Sequence, residues 1–332
     1  MTNGWDREKL LDLSRTFQKC RILLTAAELN LFDILAKGYQ TVEELCTSHG
    51  FSPRGLRILL DALASQGLVS RSIDEKYGLE ESLSRLLTKD GDDTVLPMIL
   101  HAASMWQSWS KLTEIVRTGV NPNVMGIRSR STEDMEAFIG AMHVIGLKMA
   151  DSIAESLDLT RFKRMLDIGG ASGTYVMAFL KKAPHMTATI FDLPNVVQMA
   201  QKRLDKEACS HRVELAGGDY TSHDLPRGHD LVLLSAIIHS NGREGNRDLF
   251  RKIFQALEPG GALLVRDYVM DQTRTFPPDG AIFAVNMLAA TSDGNSYTFE
   301  EIREDMQIAG FSNISMIREG QNMDQLVIAE KL

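Results

Sequence analysis

Leu166-Asp167-Ile168-Gly169-Gly170-Ala171-Ser172-Gly173 is the stretch that decides the fold. An apolar run with one acid gives way to small residues, as happens where a strand turns into a helix over a ligand. The dinucleotide fingerprint has the form G-x-G-x-x-G, whereas here an acid precedes the first glycine. That carboxylate would repel a pyrophosphate and would suit a ligand with a positive amino-acid end, such as S-adenosylmethionine (SAM). A nicotinamide dehydrogenase is therefore the least favoured enzyme class.

From Lys163 onward, short β-rich runs alternate with helical patterns, which is typical of a parallel sheet built from βαβ units. The predicted strands are Arg164–Ile168, Ala188–Phe191, Arg212–Leu215, Leu231–Ala236 and Ala262–Arg266, and the helices between them cover Tyr175–Lys182, Val196–Leu204 and Arg247–Leu257. The two last runs, Ile314–Ile317 and Gln325–Glu330, are too close for a crossover. They are therefore predicted to form an antiparallel hairpin at the edge of the sheet.

Two further acids follow the next strands of the predicted sheet. Asp192 ends the second strand about 20 residues past the glycines, where a carboxylate accepts hydrogen bonds from both ribose hydroxyls. Asp219, in the turn Gly218-Asp219-Tyr220 after the third strand, would accept from an adenine amino group. Open α/β sheets bind ligands at the carboxyl ends of their strands. Together with Asp167, these acids predict a SAM site at that edge.

His239 is the candidate general base. It follows the apolar run Leu233–Ile238 at the end of the fourth strand, beside the predicted cofactor position. A histidine next to an apolar run is more often structural than catalytic, but this end of the sheet is where ligands lie. An imidazole also titrates close to cellular pH and is therefore able to take up a proton. The other histidines lie in loops or polar helices and are expected at the surface.

The first hundred residues have a helical pattern that ends in a hairpin. Apolar residues recur at helical spacing over Leu10–Phe32, and Thr41–Glu44 resembles a capping box for a short second helix. Ser52-Pro53 begins the next helix, and residues 68–79 predict a small hairpin. This order is a winged-helix pattern. We therefore predict a winged-helix domain over 1–100, a helical linker that lines the substrate over 101–160, and a SAM-binding domain over 161–332.

Composition and charge disfavour nucleic acid and membranes as partners. The 332 residues carry 36 Lys and Arg against 44 Asp and Glu, and a net charge of −8 is unsuited to phosphate contacts. The helix that begins at Ser52-Pro53, which would be the recognition helix, offers Arg54 and Arg57 but also Asp61, and this is poor chemistry for reading bases. Dimerisation is the favoured role of this domain. The N-terminus is polar, and no apolar run approaches the roughly 20 residues of a membrane span, which indicates a cytoplasmic protein. The three cysteines are far apart in the sequence, which indicates that there is no metal site.

Over nearly its whole length the chain resembles SAM-dependent O-methyltransferases of the plant caffeate and bacterial small-molecule type. The matching stretches are Ala27–Asp33, Leu59–Leu63, Gly67–Val69, Asp167–Gly170, Phe191–Pro194 and Leu257–Gly261. The resemblance implies an α/β class I methyltransferase domain, with a Rossmann-like sheet, preceded by a winged-helix dimerisation domain. It also implies a homodimer in which the N-terminal domain contributes to the partner's pocket.

The resemblance implies roles for individual residues as well. SAM, which leaves as S-adenosylhomocysteine, is expected to contact Asp167, Gly169, Gly170, Asp192, Leu193, Gly218, Asp219, Tyr220 and Ser235. A small aromatic or heteroaromatic acceptor is expected to lie among Phe138, Met142, His143, Phe283, Asn286 and Met287. His239 is the implied base for the acceptor hydroxyl. Asp267 is expected to hold its ring where the family usually has a glutamate, and no metal is required.

Several positions depart from the family pattern. Ser240 and Asn241 replace an Asp-Trp pair after the histidine, and Ser235 replaces a lysine near the cofactor. Ser296 replaces a second glutamate that holds the histidine. These changes leave methyl transfer to carbon or nitrogen as an alternative, and a SAM-sensing DNA-binding regulator as a less favoured one. Side chains of one apolar stripe suit either a pocket lining or ordinary core, namely those of Met135, Phe138, Met142 and Met287.

Overall fold

The computed structural model describes residues 4–122, 132–205 and 207–332, without the side chains of 132–134. The chain divides into two compact units. The first is Met1–Trp106 with Gly140–Val144, and the second is Gln107–Ile139 with Ile145–Leu332. The segment predicted as a linker, 101–160, is thus shared between both units.

The first unit follows the winged-helix order. Its helices are α1 (Arg7–Glu28), α2 (Leu31–Leu35), α3 (Val42–His49), α4 (Pro53–Ser65) and α5 (Glu81–Leu87), and its strands are β1 (Ser70–Arg71) and β2 (Tyr77–Gly78). A further helix, α6 (Leu96–Ser110), begins in this unit and ends in the second one. The predicted capping box is confirmed, because Thr41 Oγ1 accepts from the Glu44 N–H and the Glu44 carboxylate accepts from the Thr41 N–H. Strands β1 and β2 form the predicted antiparallel hairpin.

The first helix is shorter than its apolar pattern predicts. It ends at Glu28, and Asn30 adopts φ +55°, a left-handed conformation that asparagine tolerates better than most residues. The chain therefore changes direction, and Leu31 and Phe32 are buried in the core of the unit. Along α1 itself, several large apolar side chains are more than half exposed in the single chain, namely Leu10, Leu13 and Phe17.

The second unit contains a seven-stranded sheet. Its helices are α7 (Leu112–Thr118), α8 (Thr132–Glu155, partly in the first unit), α9 (Thr174–Lys182), α10 (Pro194–Leu204), α11 (Arg243–Ala256), α12 (Pro278–Ala290) and α13 (Phe299–Ile308). Its strands are β3 (Arg164–Ile168), β4 (Thr187–Asp192), β5 (Val213–Gly217), β6 (His229–Ser235), β7 (Leu257–Asp267), β8 (Val269–Met270), β9 (Tyr297–Thr298), β10 (Ser312–Arg318) and β11 (Gln325–Glu330).

The strand order of the sheet is β10-β11-β7-β6-β3-β4-β5. Strands β3 to β7 run parallel, β11 pairs antiparallel with β7, and β10 completes the predicted hairpin at the edge. The predicted class I methyltransferase sheet is confirmed. The chain moves outward from β3 to β5 and then returns to place β6 on the other side of β3. That change of direction creates the crevice in which open α/β sheets bind ligands.

Both faces of the sheet are buried, which explains the continuous apolar runs of its strands. Leu166 and Ile168 of β3 face one hydrophobic cluster, whereas Met165 faces the other. Leu234 of β6 and Val265 of β7 also belong to the first cluster. Successive side chains on β3, β6 and β7 therefore point to opposite faces of the sheet.

One helical segment within the described residues, Met135–Glu155, is long and apolar enough to span a membrane. Core helices of other proteins meet the same two criteria. The segment is therefore only a weak indication of a membrane span.

Candidate active site

The turn from β3 into α9 has an unusual backbone. Gly169, Ala171 and Gly173 all have positive φ, at +71°, +47° and +74°. This conformation is available to glycine and is rare for alanine, and such strain is concentrated at ligand sites. Asp192 stabilises the turn, since its Oδ2 accepts a hydrogen bond from the Ala171 N–H at 2.9 Å.

Asp167 lies beneath this turn and is almost fully buried, with 1% of its surface exposed. Within the described residues, neither of its carboxylate oxygens has a hydrogen-bond partner. Burial, and next the charge of Asp192, raise the pKa of the Asp167 carboxyl to about 8. A cationic group nearby would stabilise its charged form. A Cβ atom on Gly170 would lie 2.8 Å from Asp167 Oδ2, so only glycine fits above the carboxylate.

The other predicted cofactor residues lie along the same edge of the sheet. Asp192 ends β4, and its Oδ1 accepts from the N–H of Leu193, the residue before α10. Gly218 donates its N–H to the Asp192 carbonyl and is buried. Asp219 Oδ1 accepts from the N–H and hydroxyl of Thr221, and Tyr220 donates its hydroxyl to Asn241. The carboxyl ends of β3, β4 and β5 thus bring these residues to one edge.

Arg266 is a buried cation at this crevice that the sequence analysis missed. It lies on β7 beside Ser235 of β6 and donates to the Ser235 hydroxyl at 3.0 Å. Its other contacts are the Met149 sulfur and the Tyr175 ring. Only 4% of Arg266 is exposed, and within the described residues it has no ion pair. Asp167 and Arg266 are thus a buried acid and a buried cation near the carboxyl ends of β3 and β7.

His239 and Asp267 form a buried pair at the ends of adjacent strands. His239 lies in a short 3-10 turn, Ile238–Ser240, after β6, and Asp267 is the last residue of β7. His239 Nδ1 lies 2.9 Å from both carboxylate oxygens, and the two residues are 8% and 1% exposed. A carboxylate only accepts, so Nδ1 carries the proton and Nε2 keeps its lone pair. Within the described residues, no group hydrogen bonds to Nε2.

One face of α12 provides aromatic and amide groups next to His239. The Phe283 ring contacts the His239 ring edge-on, with centroids 4.8 Å apart. One helical turn further on, Asn286 Oδ1 accepts a hydrogen bond from Trp109 Nε1 at 3.0 Å. The indole only donates, so this bond fixes the Asn286 oxygen toward Trp109 and its amide NH2 in another direction. Met287 is buried.

Three residues predicted around the acceptor lie on α8. Phe138 packs in one small apolar cluster with Met135, Leu193 and Ala171, and Ala171 belongs to the turn from β3 into α9. Met135 is 1% exposed. Of the two alternatives for the apolar stripe, pocket lining or ordinary core, Met135 therefore fits the core. Met142 and His143 belong to the first unit and are partly buried there.

Ser296, at the position of the family's second glutamate, has a different partner. It is buried and donates its hydroxyl to the Gly280 carbonyl. The neighbouring Asn295 instead reaches the histidine turn, since its N–H donates to the His239 carbonyl at 2.9 Å. Asp267 is therefore the one carboxylate that holds His239 within the described residues.

A doubly wound sheet with acids around its crevice and an imidazole held by a carboxylate defines a class I methyltransferase. Comparison with known families agrees, because the O-methyltransferase domain matches residues 109–312 and the O-methyltransferase dimerisation domain matches residues 11–90. The chain belongs to the SAM-dependent O-methyltransferase family.

Three similar proteins illustrate the range of the family. The tetracenomycin polyketide synthesis 8-O-methyl transferase of Streptomyces glaucescens is 33% identical over 310 residues, 92% of this chain and 91% of that protein. Human N-acetylserotonin methyltransferase, solved in complex with SAM, shares the fold with a TM-score of 0.84 and 24% identity, and the match covers 100% of this chain and 99% of that one. An N,N-8-amino-8-demethyl-D-riboflavin dimethyltransferase from Streptomyces davawensis has a TM-score of 0.81 and 26% identity over 98% of both chains.

Proposed function

We propose that this O-methyltransferase uses His239 as a general base, without a metal, to methylate the hydroxyl of a small aromatic or heteroaromatic acceptor. The observation that carries the proposal is the bond between His239 Nδ1 and the buried Asp267 carboxylate. It fixes the tautomer in which Nε2 accepts a proton. The tetracenomycin relative is an 8-O-methyl transferase of polyketide synthesis, which supports a hydroxyl as the methylated group. A second relative, 29% identical, is a 3-hydroxy-5-methyl-1-naphthoate 3-O-methyltransferase, which supports an aromatic acceptor.

SAM supplies a methyl group on a sulfonium, which is already an excellent leaving group, so the protein has to align the acceptor and remove its proton. Alignment of two reactants contributes up to about 7–11 kcal/mol. His239 Nε2 takes the proton of the acceptor hydroxyl, and Asp267 stabilises the resulting imidazolium. Asp167 and Arg266 would hold the amino-acid end of the cofactor, and Asp192 and the Gly218–Tyr220 turn would hold its adenosine end.

The acceptor is expected to stack against Phe283, which packs against the base. The Asn286 amide NH2 is directed away from Trp109 and has no partner within the described residues, so it is free to donate to an oxygen of the acceptor. Flat, partly polar molecules such as phenols with an additional carbonyl or hydroxyl match this arrangement.

Substitution of His239 by alanine tests the proposal. A general base contributes about 10²–10⁴-fold, so kcat of His239→Ala should fall by that factor while binding of S-adenosylhomocysteine is unchanged. Wild-type kcat should also fall toward acid pH, because a protonated imidazole accepts no proton. His211→Ala, which changes a solvent-exposed histidine, is the control. Activity of His239→Ala within a few-fold of wild type would refute the base.

Methyl transfer to nitrogen is the second candidate, because the similar riboflavin enzyme is named a dimethyltransferase of an amino group. An amine is nucleophilic without a base, so His239 would then only hydrogen bond to the acceptor. A flat pH profile with amine acceptors, together with an active His239→Ala variant, would favour this candidate. Transfer to carbon would be recognised from the methylated product.

We further propose that α1 mediates homodimerisation in the cytoplasm, without nucleic acid or membrane. The exposed Leu10, Leu13 and Phe17 form an apolar stripe at the start of the dimerisation domain, which matches residues 11–90. On α4, Arg57 is paired with Glu43 and Glu75, which leaves it poorly placed for phosphates. Leu13→Glu should yield monomers in sedimentation velocity. A dimeric Leu13→Glu would contradict the interface, and salt-sensitive DNA binding would revive the regulator alternative.

A further inference from the structure

The departure at Asn241 has a structural counterpart in a chain of side-chain hydrogen bonds. The Tyr220 hydroxyl donates to Asn241 Oδ1 at 3.3 Å, and Asn241 Nδ2 donates to Asn246 Oδ1 at 3.1 Å. Asn246 Nδ2 then donates to the Ile238 carbonyl at 2.9 Å. The chain therefore joins a predicted cofactor residue to the backbone next to His239.

One carbonyl fixes the direction of every bond in this chain. The Ile238 carbonyl only accepts, so the Asn246 atom that faces it must be the amide nitrogen. The Asn246 oxygen is then left for the Asn241 nitrogen, and the Asn241 oxygen is left for the Tyr220 hydroxyl. Because each amide has one donor end and one acceptor end, no member is able to reverse without breaking its neighbour's bond.

The chain ends on a peptide bond that is held on both sides. The carbonyl of the Ile238–His239 peptide accepts from Asn246, and its N–H is 3.4 Å from Asp267 Oδ2. The His239 carbonyl accepts from the Asn295 N–H. Asn246 is 2% exposed, so no water replaces its amide if it is lost. The backbone of the base is thus held by three residues from three different segments, Asn246, Asp267 and Asn295.

We infer that Asn246 is a positioning residue that sets the orientation of His239. Through Asn241 it also makes that orientation depend on Tyr220 in the predicted cofactor crevice. The inference rests on the proposed role of His239 as the base. Asn246 touches no reacting atom. It acts by holding the Ile238–His239 peptide, while Asn241 also accepts a hydrogen bond from the Tyr297 hydroxyl at its carbonyl, which anchors the middle of the chain.

The test uses two substitutions of similar shape. Asn246→Asp removes the side-chain donor to the Ile238 carbonyl, which keeps only the longer bond from the Asn241 N–H at 3.3 Å. Tyr220→Phe removes only the distal hydroxyl. Loss of one buried hydrogen bond changes an equilibrium by about three- to tenfold, so kcat should fall by at least that factor in Asn246→Asp and less in Tyr220→Phe. The KM for SAM should stay within about twofold in Asn246→Asp, and the acid limb of the pH–rate profile should move. Asn322→Asp, at an exposed position, is the matched control.

A double-mutant cycle separates positioning from a merely structural role. If the bonds act as one chain, Tyr220→Phe should have little additional effect on kcat in the Asn246→Asp background. If both variants keep kcat and the pH profile within about twofold of wild type while His239→Ala is inactive, the inference is overturned and the base stands. If His239→Ala is itself active, the proposed function fails first. Should Asn246→Asp not fold, Tyr220→Phe and Asn241→Asp, followed by circular dichroism, still decide the question.

Discussion

Replacement of Asp267 by asparagine changes the proton on His239 and leaves the shape of the site intact. The Asp267 carboxylate accepts from His239 Nδ1 through both oxygens, and its Oδ1 also accepts from the Tyr268 N–H at 2.8 Å. An asparagine has one oxygen, which the Tyr268 N–H would retain. Its NH2 group would then replace Oδ2, which lies 2.9 Å from Nδ1, and would compete with the Nδ1 proton for that space. Donation from this NH2 to Nδ1 selects the tautomer with the imidazole proton on Nε2.

The expected loss follows from that tautomer. With a proton on Nε2, the ring accepts nothing from the acceptor hydroxyl, and the whole contribution of the base is lost. That contribution is about 10²–10⁴-fold in kcat, or about 3–5 kcal/mol of activation free energy. Because Asp267 is 1% exposed, water does not substitute for the missing acceptor.

The assay compares kcat of Asp267→Asn with binding of S-adenosylhomocysteine by calorimetry. We expect the large loss in kcat at every pH between about 5 and 9, with the binding constant unchanged. Asp324→Asn, which changes a carboxylate paired with Arg318 in the edge hairpin, is the control for the loss of one charge. A kcat for Asp267→Asn within about tenfold of wild type would show that the carboxylate does not select the tautomer.

Three other predictions concern buried charges. Asp305 is 2% exposed and pairs with Arg243 and Arg247. Asp305→Ala should therefore lower the free energy of unfolding, measured by urea titration, by about 3 kcal/mol. Glu304→Ala, at the exposed end of the same cluster, is the control and should change it little. Because the pKa of Asp167 is raised to about 8, folding retains a proton that the unfolded chain loses above about pH 4, and wild-type stability should fall as pH rises from about 4 to about 8. Asp167→Asn should remove that slope, and equal slopes would contradict the assignment. Arg266→Met should weaken S-adenosylhomocysteine binding by at least about tenfold but leave methylthioadenosine, which lacks the amino-acid end, unaffected in calorimetry.

Strands and helices of the sheet domain were predictable because their signals are local. The alternation of apolar runs with helical periodicity places β3 within Arg164–Ile168 and the final strand within Gln325–Glu330, as the structure does. The end of α1 was not predictable in this way. Its apolar spacing continues past Glu28, and the break depends on Asn30 adopting a left-handed conformation that lets Leu31 and Phe32 reach the core.

Residues of the site were predictable where strand ends alone determine their position. Asp192 and His239 follow β-rich runs, so the topology brings them to one edge. Pairings between distant parts of the chain carry no such local signal, as with Trp109 and Asn286, which are 177 residues apart. Arg266 did carry a usable signal, since a charged residue within a buried apolar strand requires a partner.

Arg266 and Asp267 are neighbours on one strand, and the pleat sends their side chains to opposite faces. One strand therefore carries the carboxylate that holds His239 and, on its other face, the guanidinium that we propose contacts the cofactor. A slip of β7 by one residue against β6 would send both side chains to the opposite face of the sheet, so His239 would lose its carboxylate and Ser235 its guanidinium partner. Insertions before this strand are therefore tolerable only where they leave its register against β6 and β11 unchanged.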